Sequence, residues 1–113
     1  MSAKIKVIIK RPDEEFGHVT NISPTLENIQ KTVGGYIETV TLLPASEMRK
    51  SPVIAIVNEE GKLKGLEKNM RIPGDILVGT IIACGVDGED LADIPIDFKV
   101  WKSLVKSLEE NSF

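Results

Sequence analysis

The chain has 113 residues, 42% of them apolar and 27% charged, with a formal net charge of −3. That is the size of one domain over 1–113, ordinary enough in composition to bury a modest core and to be loose only at its ends. An acidic balance argues against binding long DNA or RNA, which requires a basic face that displaces counterions.

Lys4–Lys10 alternates, placing Ile5, Val7 and Ile9 on one face of a strand and Ile8 on the other. Arg11-Pro12-Asp13-Glu14-Glu15 breaks it, and His18–Ile22 predicts a short second strand returning as a hairpin. Ser23-Pro24 reads as a helix start, with Ser23 as cap and Pro24 in the first turn. Leu26, Ile29 and Val33 then share one helical face, and Gly34-Gly35 ends the helix.

Tyr36–Leu43 is β-rich, with Tyr36, Glu38, Val40 and Leu42 on one face. Pro44–Pro52 is a polar loop. Val53–Val57 is a continuous apolar run, as expected of a central strand covered on both sides. Asn58–Gly74 follows as a polar insert, in which Leu63 and Leu66 are candidate anchors. Asp75–Val86 is a long apolar run interrupted by Gly79 and Gly85, either one bent strand or two short ones. Asp87–Asp90 is a turn. Asp97 caps a last helix whose apolar stripe is Val100, Trp101, Leu104, Val105 and Leu108. The order β-β-α-β-β-β-α predicts an α+β fold: a small, mostly antiparallel sheet with one short internal helix and a C-terminal helix packed on it.

Catalytic signals are absent from this pattern. His18 is the single histidine and falls beside strand residues, and there is no nucleophile elbow, P-loop or dinucleotide fingerprint. Cys84 lies among Ile82, Ala83, Gly85 and Val86 and reads as a small core hydrophobe, so neither a disulfide nor a cysteine zinc site is expected. Asp87-Gly88-Glu89-Asp90 does not have the spacing of a calcium loop. No cofactor and no metal are expected. The N-terminal apolar run is too short for a signal peptide or a membrane span, which with the lone thiol points to the cytoplasm.

Binding signals concentrate in the insert. Asn58, Lys62, Lys64, Asn69 and Arg71 offer hydrogen-bond donors within a short stretch bounded by turn-forming glycines. With Trp101 assigned to the helix stripe, Tyr36 and Phe16 are the rings expected to stack on a base or sugar, and Tyr36 shares a face with Glu38. The expected ligand-binding set is therefore Tyr36, Glu38, Asn58, Lys62, Lys64, Asn69 and Arg71, with the two flanking strands as a floor.

Three segments, Val33–Glu38 (VGGYIE), Asn58–Asn69 (NEEGKLKGLEKN) and Gly74–Thr80 (GDILVGT), resemble a small domain-of-unknown-function family found in phages and mobile elements of Firmicutes and relatives. The resemblance carries no activity. It implies an accessory role in which counter-defence proteins are common. The expectation is a non-enzymatic, homo-oligomeric sponge for a nucleotide-type immune signal, an ADP-ribose derivative or a cyclic nucleotide, acting in the host cytoplasm. The alternative is a protein-interaction module that inhibits a host defence enzyme.

Overall fold

The two uninterrupted apolar runs become neighbouring strands at the heart of one sheet. In the computed structural model, which describes residues 3–111, β4 (Val53–Asn58) is buried along its whole length and pairs antiparallel with β7 (Ile81–Asp87), setting Ala55 opposite Ala83. β1 (Ile5–Lys10) pairs with the other side of β7, β2 (His18–Ile22) with β1, and β3 (Ile37–Leu43) with β4. The sheet order is β2-β1-β7-β4-β3, all antiparallel, with β8 (Asp90–Ala92) as a short hairpin partner of β7. A separate hairpin, β5 (Lys68–Ile72) and β6 (Asp75–Val78), leaves the sheet between β4 and β7. The expected α+β architecture is the one observed. The expectation of loose chain ends lies in part outside the described residues.

Both faces of the sheet are covered, which is why β4 and β7 carry no polar alternation. On one face Ile5, Val7, Ile9, Ile54, Ile56, Ile82 and Cys84 pack under α1 (Leu26–Val33) through Ile29 and Val33. On the other, Ile8, Val53, Ala55, Val57, Ile81 and Ala83 meet Trp101 and Val105 of α2 (Phe98–Glu110), with Met70, Ile72 and Leu77 of the hairpin closing the layer. Cys84 is fully buried, and burial pushes its thiol up to about 12. A thiol-specific reagent should therefore leave the native protein unmodified and label one thiol at once in denaturant; prompt labelling without denaturant would contradict the placement.

Several local expectations are corrected. The insert Asn58–Gly74 is not one polar loop: its second half is β5, and Pro73-Gly74 forms the two-residue turn to β6, with Gly74 at φ 82, where a Cβ is disfavoured. Of the two arrangements left open for the apolar run after Pro73, the one found is two strands, β6 and β7, separated at Gly79. β8 was not expected. Thr25, not Ser23, caps α1, its hydroxyl accepting from the Asn28 N–H at 3.2 Å, so Pro24 lies ahead of the helix. The Ser23 carbonyl instead accepts from the Asn28 amide at 3.3 Å. Leu26 is exposed although it falls on the Ile29–Val33 stripe, and Val100 is similarly exposed at the start of α2. Leu63 is 89% exposed and anchors nothing, whereas Leu66 is half-buried against Gly61 and Gly79. Asp97 caps α2 as expected, accepting from the Val100 N–H at 2.9 Å.

Candidate functional site

The expected binding residues divide between two places. At one end of the sheet, all three resemblance segments converge. The Asn58 amide, buried at the end of β4, donates to the Val33 carbonyl at 3.2 Å and its oxygen accepts from the Glu60 N–H at 2.8 Å. The Glu59 N–H donates to the Tyr36 carbonyl at 2.8 Å. Gly34 supplies the left-handed cap of α1, and a Cβ on Gly35 would lie 3.0 Å from the Asn58 amide and 3.2 Å from Lys64 Nζ. Lys62, in the turn that follows β4, pairs with Asp75 at the start of β6, and its ammonium and the Ile76 N–H hold the Asp75 carboxyl below its usual range. Asn58 is thus a structural latch. Glu38, Lys62 and Asp75 line a hollow of only about 80 Å³, with Tyr36 exposed nearby in sequence. That is well under the roughly 300–1,000 Å³ of ordinary small-molecule sites.

Asn69 and Arg71 belong elsewhere. A cleft of about 470 Å³ opens between the β1–β2 loop and the C-terminal half of α2, lined by Lys10, Phe16, Asn69, Lys106, Glu109 and the Asp13–Glu15 run. A smaller hollow of about 190 Å³ shares Asn69 and Glu109 with it and adds Lys68 and Arg71. At the base of the cleft lies Lys10, only 2% exposed. Its ammonium donates to Asn69 Oδ1 at 2.6 Å and to the Asn69 carbonyl at 3.3 Å. Desolvation lowers the Lys10 pKa, opposed by the charges of Glu109, Glu14 and Glu15. The Asn69 amide in turn donates to the Lys10 carbonyl at 2.7 Å and to the Gly79 carbonyl at 2.8 Å, so its side chain is committed within the fold.

The wall is built by the loop. The Phe16 carbonyl accepts from Trp101 Nε1 at 2.8 Å, fixing the loop on α2. The Lys102 and Lys106 ammonium groups lie 5.9 and 5.7 Å from the Phe16 ring centroid, within cation–π range. Glu14 accepts from the Arg11 N–H at 2.8 Å and contacts His18 Nδ1 at 3.3 Å, and these partners hold its carboxyl below the usual range. His18 stands at the exposed start of β2. Among the described residues no cluster of three or more His, Cys, Asp or Glu has metal-ligand geometry, and no helix is long and apolar enough to cross a membrane.

Lys10 and Lys106 were missed by the expected set, although Lys10 had a readable signal. It stands two residues beyond Ile8, on the face that Ile8 requires to be covered. Phe16 was a candidate ring, and it does line the cleft.

The chain is therefore an α+β domain with a six-stranded antiparallel sheet, helices on opposite faces and a cleft beside the second helix. A model of the family described as Domain of unknown function (DUF3846) matches residues 5–105, and the chain belongs to that family. No curated protein and no solved structure matches it.

Proposed function

We propose that this domain is a non-enzymatic binding protein that takes a small nucleotide-type ligand in the Lys10 cleft. In the phage and mobile-element setting that the sequence resemblance implies, it would sequester a host immune signal, an ADP-ribose derivative or a cyclic nucleotide. The observation that carries this reading is a nearly buried ammonium at the base of a cleft of about 470 Å³ walled by an aromatic ring. Lys10, Lys106 and the adjoining Lys68 and Arg71 offer charge-assisted bonds to phosphate. Asp13, Glu15 and Glu109 offer acceptors to ribose hydroxyls and base amino groups. Affinity alone suffices for such a role. Cys84 is sealed in the core, and His18 is not among the residues lining the cleft.

One observation favours a second reading. Within the cleft itself the carboxylates Asp13, Glu14, Glu15 and Glu109 outnumber Lys10 and Lys106. That balance suits a basic segment of a host defence enzyme, which the domain would inhibit. A thermal-shift and mass-spectrometry screen against cyclic nucleotides and ADP-ribose derivatives separates the two. Recovery of intact ligand, with at least tenfold weaker binding in Lys106→Glu and in Arg71→Ala but unchanged affinity in Lys62→Ala, is the expected result. Recovery of cleaved product would replace the sponge by a hydrolase. No shift with nucleotides, together with binding of a Lys/Arg-rich peptide, would establish the second reading.

A further inference from the structure

Given the nucleotide-binding reading above, we infer that the ligand carries two phosphodiesters separated by a nucleoside, the arrangement of a cyclic dinucleotide, with one phosphate against Lys10 and the other against Lys68 and Arg71. Two cationic hollows lie side by side, one of about 470 Å³ holding Lys10 and Lys106 and one of about 190 Å³ holding Lys68 and Arg71. They meet at Asn69 and Glu109, which line both. The first hollow is built for an anion. A lysine ammonium has three N–H donors, and Asn69 accepts from that of Lys10 through its Oδ1 and its carbonyl. The remaining donor has no acceptor among the described residues. The carboxylates whose charges act on Lys10, those of Glu109, Glu14 and Glu15, all stand beyond ion-pair distance. A buried charge held only by a neutral amide is incompletely compensated, and an anion taking the third bond gains a charge-assisted contact where water competes poorly.

The surrounding charges restrict what that anion can be. Asp13, Glu15 and Glu109 line the same cleft, with Lys106 as the only other cation in it. A phosphodiester brings a single negative charge there. A phosphomonoester brings about −1.5 to −2, and a pyrophosphate sets two charges next to each other, which those carboxylates repel. The second cationic hollow lies past Glu109. Lys68 and Arg71 are exposed and belong to no ion pair among the described residues. Arg71 stands two positions beyond Asn69 on β5, about 6.5 Å along a strand, and a guanidinium can hold a phosphate through two parallel bonds. The Glu109 carboxylate makes no hydrogen bond among the described residues and, when ionised, can only accept. The part of the ligand that crosses it must therefore donate, as a ribose hydroxyl or a base amino group does and a phosphate does not. Cation, acceptor, cation along the protein matches phosphate, nucleoside, phosphate along a cyclic dinucleotide. The two phosphates of ADP-ribose share one bridging oxygen and would fall together on one side of Glu109. A cyclic mononucleotide would leave Lys68 and Arg71 unused.

Calorimetric titration of the intact chain tests this with cyclic di-AMP, cyclic di-GMP, the matching 3′,5′-cyclic mononucleotides and ADP-ribose. One of the cyclic dinucleotides should bind at least tenfold more tightly than its own mononucleotide and than ADP-ribose. Arg71→Ala, with an unchanged circular-dichroism spectrum, should erase that preference by weakening the dinucleotide at least tenfold. Lys106→Glu should weaken the dinucleotide to a similar degree. ADP-ribose or a cyclic mononucleotide binding as tightly as the dinucleotides, or a dinucleotide preference that survives Arg71→Ala, would overturn the two-phosphate assignment while leaving the nucleotide reading in place. Failure of every one of these nucleotides to bind would overturn both.

Discussion

Replacing Trp101 by alanine is expected to remove most of the domain's stability. The indole is fully buried at the centre of the layer between the sheet and α2, and its Nε1–H holds the Phe16 carbonyl. Large-to-small changes of this kind cost about 3–5 kcal/mol, against a total of about 5–15 kcal/mol for an ordinary domain. Urea unfolding followed by circular dichroism should show the midpoint collapsing in Trp101→Ala. Trp101→Phe keeps most of the volume and loses the hydrogen bond, so its cost should be smaller by at least half. Its signature should be a loosened Arg11–Gly17 loop, seen as faster amide exchange there. Equal destabilisation in the two variants would mean that the hydrogen bond, not the packing, dominates at this site.

Asn69→Ala should produce the second large loss, of about 3 kcal/mol. One side chain bonds the β1 backbone at Lys10, the β6–β7 junction at Gly79 and the buried Lys10 ammonium. Its removal leaves two carbonyls short of a donor and a buried charge short of an acceptor, and the charge is the costlier orphan. Lys10→Met should therefore relieve part of the Asn69→Ala penalty, and a double-mutant cycle should return a coupling of about 1 kcal/mol or more. Strict additivity would show that the ammonium does not depend on Asn69. Asn69→Asp gives Lys10 a carboxylate but takes the N–H donors from both carbonyls, so it should recover only part of the loss.

Apolar continuity was the readable part of this fold. Val53–Val57 and the run through Ile82–Cys84 have no polar side to show to water, and that alone requires a layer on each face. Cap chemistry placed α2 correctly at Asp97, and missed α1 by two residues because Ser23 and Thr25 are equally able to cap and only the path of the chain chooses between them. β5 was hidden because Met70 and Ile72 alternate with Asn69 and Arg71 inside a charged stretch, where a half-buried strand and a polar loop have the same composition. The candidate site was less legible for a related reason. Asn58 and Asn69 look like ligand donors in a sequence, but their amides serve backbone groups of neighbouring elements, and a residue list does not reveal where an amide points. Lys10 was the reverse case: a charged strand end that the register turns inward. What makes a cleft is the meeting of residues 10–16 with residues 105–109, and no local pattern encodes that separation.

The position of β1 has a consequence for how the protein is made. The first strand of this domain ends between β2 and β7, and its pairing to β7 waits for the synthesis of Ile81–Ala83. Until that stretch is synthesised, the N-terminal hairpin carries an open edge, and Ile8 lacks the Trp101 layer until later still. Sheet closure by such distant strands is slow and leaves nascent chains prone to aggregation. Truncations ending before residue 81 should accumulate as chaperone-bound or insoluble chains, and productive folding should begin only once nearly the whole domain has been translated.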